Sequence, residues 1–438
     1  MTDAGGARGT GGAGGAGALR FGANYTPSRD WFHSWYDLDL DEVRRDLDSI
    51  AALGLDHVRV LPLWEVLQPN RTLIRGRAVA DVVAVVDAAA DAGLDATVDV
   101  LQGHLSSYDF LPAWLLSWHR RGMFTDPGVV DAQERLVRTL GGALADHPAF
   151  LGLTVGNETN QFAKSRHPDP QPLDPDAAGA WLGRLLGAAA AAAPGGTHVH
   201  SYDDDVWFVD DSAVTPEHAV GFGDLTTVHS WVFTGVAAHY PPAHPAHDWF
   251  ARYLLELAAA WGAAGRGTWL QEVGAPVPHL GADRVEDFAA RTLQHAAGHD
   301  RLWGVTWWCS HDVDRSLGDF PELEYTLGLL DAGRRPKPLG RAVAEAVAAL
   351  RAGGGPAVGA AGAGVGAGAG AGARAGSRPG AEAGEALVVP AVDGVVRRSD
   401  TAPGSAFFAA WLEAAAAGAP PRIVVPDGAR ALVEGAPA

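Results

Sequence analysis

Cysteine is all but missing from this chain. Cys309 is the only one in 438 residues, which excludes an intrachain disulfide and suits a reducing compartment. Long apolar runs are missing as well: no stretch of about 18 or more strongly apolar residues occurs, and the many Ala and Gly stretches are too weakly hydrophobic to span a bilayer. The opening MTDAGGARGTGGAGGAGALR lacks the continuous apolar segment of a secretory signal, so a cytoplasmic location is expected. Positive charge is scarce. With 33 basic against 52 acidic residues the formal net charge is −19, and such a surface repels phosphate backbones and anionic membranes, which argues against nucleic acid and membrane as partners. Two signatures are also absent. The first strand runs into NYTPSRDW rather than a Gly-rich phosphate turn, which counts against a nucleotide fold. The S-x-x-K and G-x-S-x-G serine motifs do not occur at strand ends.

What is present is a chain of 47% hydrophobic content, able to bury at least one large core. Between Leu19 and Leu350, short β-branched runs alternate with longer stretches that carry apolar residues at helical spacing. The strand candidates are 20–26, 57–63, 95–101, 150–156, 197–203, 225–230, 268–273 and 302–308. Between them, Val43, Leu47 and Ile50 share one face of a predicted helix over 41–53, and Val79, Val82, Val83 and Val86 share one over 79–92. Eight βα units predict an α/β fold, a (β/α)8 TIM barrel, with its chemistry at the C-terminal ends of the strands. The expected organisation is a flexible tail over 1–17, the barrel over 18–350, a Gly/Ala-rich linker over 351–384 and a small accessory segment over 385–438. That last segment carries two strand-like runs, ALVVP and PRIVVP, around an Ala-rich helix.

Two carboxylates stand where such a barrel does chemistry. In LGLTVGNETN the fourth strand ends and presents Asn157 and Glu158; in GTWLQEVGAP the seventh ends in Glu272. Strands four and seven face one another across the mouth, so the pair can flank a scissile glycosidic bond. Retention requires the carboxyl groups about 5–5.5 Å apart and inversion about 6.5–9.5 Å. Either Glu alone is more often a solvated or ion-paired residue; the preceding Asn, the strand placement and the aromatic eighth strand make the constellation specific. Among the 15 Trp residues, Trp31, Trp35, Trp64, Trp114 and Trp118 follow the first three strands, where they can stack on sugars. Trp114 and Trp118 also have the spacing of a loop helix packed on the barrel.

These residues resemble clan A of the glycoside hydrolases, the 4/7 superfamily, and within it family 5, over about residues 18 to 345. GNE at 156–158 and Glu272 carry the resemblance most specifically. It implies that Glu158 is the acid/base, Glu272 the nucleophile and Asn157 a partner of the sugar 2-hydroxyl. It further implies that Arg59 in HVRV supports the nucleophile, that His104 in LQGH and His229 in TTVHSW are site histidines, and that Trp308 stacks beneath the sugar. Trp231 stands where many members have a tyrosine that hydrogen-bonds the nucleophile. The runs FGANYTPSRDWFHSW, PLWEVLQPNRTLIR, LQGHLSSYDFLPAW and TWWCSHDV resemble an actinobacterial subfamily associated with β-mannosidase activity on short β-mannosides, including mannose-β-1,4-N-acetylglucosamine. The implied enzyme acts on an oligosaccharide or glycoside with no cofactor and no metal, and a homo-oligomer is compatible with it.

Four other readings compete. An endo-β-1,4-mannanase or cellulase shares the same catalytic residues. A metal-dependent barrel hydrolase is suggested by His198 and His200 alternating on one strand, with His104, His229 and Asp312 near strand ends; such enzymes usually carry paired histidines on the first strand, and here the first strand has none. A non-catalytic carbohydrate-binding barrel is expected to have lost one carboxylate, and both are present. Cys309, beside Trp308, reads as a buried small apolar residue rather than a nucleophile.

Overall fold

The computed structural model describes residues 19–353, 386–418 and 420–434. The tail expected over 1–17 and, apart from 351–353, the linker expected over 351–384 lie outside the described residues.

The barrel is counted here by stave. The first is Arg20–Asn24, the second His57–Val60, the third Asp95–Leu101 and the fourth Phe150–Gly156. The sixth is Thr226–Ser230, the seventh Thr268–Val273 and the eighth Leu302–Trp307. They form one sheet of 7 strands in the order fourth, third, second, first, eighth, seventh, sixth, and every pairing is parallel. Helices connect successive staves and cover the outer face, the arrangement that parallel strands buried on both sides require.

The stave expected over 197–203 differs from the rest. Toward the fourth stave it pairs regularly: Thr197 N donates to Leu151 O at 2.7 Å, Val155 N to Val199 O at 2.8 Å and Val199 N to Leu153 O at 2.9 Å. Toward the sixth it forms no strand ladder, because side chains take the backbone groups. Asp224 Oδ2 accepts from His198 N at 2.7 Å, and Thr227 Oγ1 donates to His200 O at 2.8 Å. Gly152 makes the close approach of this segment feasible; a Cβ there would lie 1.8 Å from Thr197 O.

The helices begin where local chemistry starts them. Asp126 accepts from Val129 N ahead of Pro127–Leu144, and Asp174 from Ala177 N ahead of Pro175–Ala192, each with proline in the first turn. In Leu40–Ala51 the buried face contains Val43, Leu47 and Ile50, as the spacing predicts. In Gly76–Asp91 it is Ala78, Val82, Val85, Val86 and Ala89, while Val79 and Val83 are half-buried. The helix starts earlier than predicted, and its small alanines rather than two of its valines meet the barrel.

Residues 386–434 pack onto the barrel. Two short parallel pairs, Leu387–Val388 with Ile423–Val424 and Val395–Val396 with Arg430–Ala431, flank the helix Ala406–Ala416. Trp411 and Phe408 are fully buried, and both stack edge-on against Tyr253 of the helix Ala246–Trp261, at 5.1 and 4.7 Å between ring centroids. Buried Arg398 donates to the carbonyls of Asp210, Ser212 and Val214 at 2.9 to 3.1 Å, tying down the loop after the fifth stave. Trp411→Ala is expected to cost about 3–5 kcal/mol by leaving a cavity in this contact, read as a fall in melting temperature; an unchanged melting temperature contradicts the packing.

Candidate active site

The fourth stave stops abruptly. Glu158 adopts the left-handed conformation, φ 42° and ψ 36°, unfavourable for a side chain of this kind by about 1 kcal/mol or more. Its backbone holds it there: Glu158 N donates to Ser201 O at 3.1 Å and its carbonyl accepts from Gln161 N at 2.8 Å. The seventh stave carries Glu272 at its penultimate position, in register with His229 of the sixth, one step before the Ser230–Val273 pair.

Arg59 on the second stave is wholly buried and organises the floor. Its Nε and Nη2 donate to the two oxygens of Asp99 at 2.9 and 2.7 Å. Nη1 donates to Glu272 Oε1 at 2.7 Å and to Asn24 Oδ1 at 3.0 Å, and Nη2 also donates to Asn157 Oδ1 at 2.6 Å. Asp99 neutralises the guanidinium, and the fork geometry fixes Glu272 and Asn157 relative to each other. Asn157 Nδ2 donates to His104 O at 3.0 Å, which orients the amide and leaves its second hydrogen for another acceptor.

His229 on the sixth stave lies between the carboxylates. Its Nδ1 donates to Glu158 Oε1 at 2.6 Å and lies 3.4 Å from Glu272 Oε2. One oxygen of each carboxylate and one nitrogen of this ring lie within 4.8 Å of one another. Gln271 Nε2 donates to Thr154 Oγ1 at 3.1 Å, so Gln271 Oε1 faces His229 Nε2 at 3.3 Å as an acceptor. That contact keeps a proton on Nε2, and the Nδ1 to Glu158 bond is then the path along which a single proton moves.

The electrostatics place that proton. Burial pushes Glu158 up, but the hydrogen bond and charge of His229 outweigh it and hold the carboxyl down at about 2. Burial pulls His229 down, yet Glu272 and Glu158 outweigh it and raise the imidazole. Glu272 is raised, by burial first and by the charge of Glu158, against His229 and Arg59. A carboxyl that donates a proton needs a raised pKa, and a nucleophile must be ionised. The free site differs because its proton rests on His229, and transfer across 2.6 Å yields a protonated Glu158 beside an ionised Glu272.

The kcat/KM profile is therefore expected to be bell-shaped. Activity rises as Glu272 ionises, above the ordinary carboxylate value of 4.5 because its pKa is raised. It falls as the proton shared by His229 and Glu158 is lost, above the ordinary imidazole value of 6.5 because His229 is raised. A limb at either ordinary value contradicts this electrostatic arrangement.

A cavity of about 350 Å³ opens above the pair, with Trp308, Trp231, Asn157 and His104 in its lining. Trp231 packs edge-on against Trp308, 6.3 Å between centroids, and makes no hydrogen bond to Glu272 among the described residues. His229 Nδ1 stands 3.4 Å from the remaining oxygen of Glu272, an ion-pair contact rather than a hydrogen bond. His104 Nδ1 contacts Asp109 Oδ1 at 3.0 Å across a small hairpin. The eight residues that the family resemblance assigns to the site, Arg59, His104, Asn157, Glu158, His229, Trp231, Glu272 and Trp308, thus lie at the cavity or its floor.

Other expectations are corrected. Trp31, Trp35 and Trp64 are core residues, and Trp114 packs edge-on against Trp64 at 5.9 Å. Residues 114–118 form turns rather than a helix, and Trp118 is fully exposed. None of the five lines the cavity. His198 Nε2 donates to Ala193 O at 2.7 Å and His200 Nε2 contacts Thr159 Oγ1 at 2.8 Å, while Asp312 pairs with Lys337 at 2.6 Å. These groups do not converge with His104. Among the described residues the grouping spaced for a metal ion is Glu158, His229 and Glu272, where the Arg59 cation already occupies Glu272. Cys309 is buried, and burial raises its thiol.

The sequence reading did not single out Asp99, Asn24, Gln271 or Glu324. Asp99 left a signal, a charge in the middle of the apolar run TVDVL. On the opposite wall Asp203 and Asp205 both pair with Lys164.

No protein-family model matches the chain, and no curated protein does. Solved structures do. The chain is similar to GH5_18 from Streptomyces cattleya, determined in complex with Manβ1-4GlcNAc: 50% identity over 94% of this chain and 94% of that one, TM-score 0.84. It is similar to GH5_18 from Bifidobacterium longum subsp. longum at 40% identity, over 93% of this chain and 92% of that one, TM-score 0.82. GH5_18 from Bifidobacterium longum subsp. infantis shows 42% identity over 93% and 91%, TM-score 0.81.

Proposed function

Because the chain belongs to subfamily 18 of glycoside hydrolase family 5, we propose that it is a retaining exo-β-mannosidase that releases mannose from short β-mannosides such as Manβ1-4GlcNAc. The observation that carries the reading is the approach of Glu158 and Glu272, whose nearest oxygens lie within 4.8 Å with His229 between them. That proximity suits direct attack by Glu272, whereas the carboxyl groups of an inverting enzyme stand about 6.5–9.5 Å apart.

Glu272 attacks the anomeric carbon while protonated Glu158 gives its proton to the departing oxygen, forming a mannosyl ester and free N-acetylglucosamine. Glu158, now a base, takes a proton from water as that water attacks the ester, and mannose leaves with its β configuration. Asn157, held by Arg59, offers its free amide hydrogen to the 2-hydroxyl, a bond that strengthens as positive charge develops on the ring. Trp308 supplies the flat face beneath the sugar. The double displacement itself calls on no cofactor.

Exo action is supported by the packing behind one end of the cavity, where Ser106, Ser107, Leu323 and Glu324 line it. The loop after the first stave brings Trp31 edge-on to Phe320 at 4.7 Å and near Tyr108 at 5.6 Å, uniting the loops after the first, third and eighth staves. A cavity of about 350 Å³ suits a disaccharide rather than a polymer. Residues 18–350 are the catalytic barrel in this reading and 385–438 its accessory segment. A cytoplasmic location belongs to the same reading and is supported by the lone buried Cys309. No helix among the described residues is long and apolar enough to cross a membrane.

The test is a screen of nitrophenyl β-mannoside, β-glucoside and β-galactoside, with Manβ1-4GlcNAc, mannan and cellulose alongside. Cleavage confined to the small β-mannosides is expected. A preference for polymer favours the endo-mannanase reading and overturns this one.

A further inference from the structure

Glu324 lies in the 3-10 helix Glu322–Thr326, in the loop after the eighth stave, and lines the same cavity as Glu272 and Trp308. It is only 9% exposed, yet no Lys, Arg or His pairs with it among the described residues. Its one hydrogen bond among them comes from Ser106 Oγ, which donates to Oε2 at 2.9 Å; Oε1 has none. Burial, with the nearby charge of Glu272 adding to it against the Ser106 bond, pushes this carboxyl up to about 7. A carboxyl without a cation is costly to bury, and a glutamine of the same shape would be the cheaper structural choice. The retained acid therefore points to use.

Its surroundings are built to hold it. Ser106 and Ser107 both adopt left-handed backbone, φ 50° and 71°, at the tip of the hairpin that joins His104–Leu105 to Tyr108–Asp109. Positive φ at both central residues is what a tight two-residue hairpin turn requires, and it fixes where the Ser106 hydroxyl stands. Tyr108 Oη donates to Asp319 O at 2.7 Å, fastening the hairpin to the loop that carries Glu324. The far wall of the cavity thus ends in a supported, half-satisfied carboxyl on the side of the nucleophile. The acidic wall of Asp203, Asp204 and Asp205 shares the lining with Glu158 and Gln161.

Resting on the β-mannosidase reading above, we propose that Glu324 is a specificity residue: its Oε1 hydrogen-bonds the hydroxyls of the terminal mannosyl ring remote from the scissile bond. Backed by Ser106, it ends the cavity, so that those hydroxyls must be unsubstituted. It acts on the sugar that becomes mannose, not on the leaving sugar.

The experiment compares wild type, Glu324→Ala, Glu324→Gln and Ser106→Ala, each confirmed as folded by its melting transition. Readouts are kcat/KM on Manβ1-4GlcNAc and the inhibition constants of mannose and of N-acetylglucosamine. Glu324→Ala is expected to lower kcat/KM roughly 100-fold and to weaken mannose roughly tenfold or more, as loss of a charge-assisted hydrogen bond does. N-acetylglucosamine inhibition stays unchanged. Glu324→Gln recovers only part of the loss, because it keeps the shape and an acceptor but not the charge, and Ser106→Ala loses roughly tenfold. Glu324→Ala within threefold of wild type, or equal weakening of both sugars, overturns the proposal while leaving the enzyme a β-mannosidase. A wild-type enzyme inactive on every β-mannoside overturns the functional reading, and this proposal with it.

Discussion

Glu272→Ala lowers kcat on nitrophenyl β-mannoside by roughly 10⁵-fold or more, the scale on which enzymes lose rate when a nucleophile is removed. The size follows from the site. Glu272 is held by Arg59 Nη1 at 2.7 Å and has an oxygen within 4.8 Å of one of Glu158, the proposed general acid, so on this reading no neighbouring group replaces it at the anomeric carbon. Asp99, the remaining acid of the floor, has both oxygens bound by Arg59. The alanine leaves a space in which azide fits. Added azide is therefore expected to restore turnover with a good leaving group and to yield the α-mannosyl azide, because a single displacement inverts the centre. Azide rescue giving the β product removes Glu272 from the nucleophile's role.

Glu158→Ala has an equally large but different effect, which depends on the leaving group. On Manβ1-4GlcNAc, whose sugar alkoxide departs poorly without a proton, the loss is expected at roughly 10⁴-fold, at the upper end for general acid catalysis. On 2,4-dinitrophenyl β-mannoside the first step hardly slows, since that phenoxide leaves unaided. The mannosyl ester then accumulates, and azide releases it as the β-mannosyl azide. A uniform loss across leaving groups contradicts the acid role. His229 separates a further point: its Nδ1 bond to Glu158 at 2.6 Å carries the proton in the free enzyme. In Glu158→Ala the basic limb of kcat/KM is therefore expected to vanish for the activated substrate, while the acidic limb, set by Glu272, remains.

The two proposed catalytic carboxylates were legible because each stands at the C-terminal end of an apolar strand, and period and placement alone bring Glu158 and Glu272 to one mouth. Arg59 was legible through resemblance; the Asp99 that neutralises it was not, although a charge inside TVDVL is the trace such a partner leaves. Glu324 and Ser106 were out of reach. They are 218 positions apart, on loops whose meeting depends on Trp31, Tyr108 and Phe320 packing together. The aromatic count misled at Trp31, Trp35 and Trp64, since a flat ring suits a sugar and a core equally and only burial decides between them. The fifth stave read as β from its alternation, yet His198 N and His200 O bond to the side chains of Asp224 and Thr227 rather than to a neighbouring strand. Competition of that kind leaves no periodic signal. The resting place of the proton was out of reach for a related reason: sequence shows which groups can titrate but not that a histidine stands between two carboxylates.

One measurement tests the central claim directly. The wild-type enzyme is incubated with 2-deoxy-2-fluoro-β-mannosyl fluoride, whose fluorine slows breakdown of the mannosyl ester more than the good leaving group slows its formation. Mass spectrometry of the intact and digested protein then locates the label. A stoichiometric fluoromannosyl adduct on Glu272 is the predicted result; an adduct on Glu158, or turnover with inversion and no adduct, contradicts it.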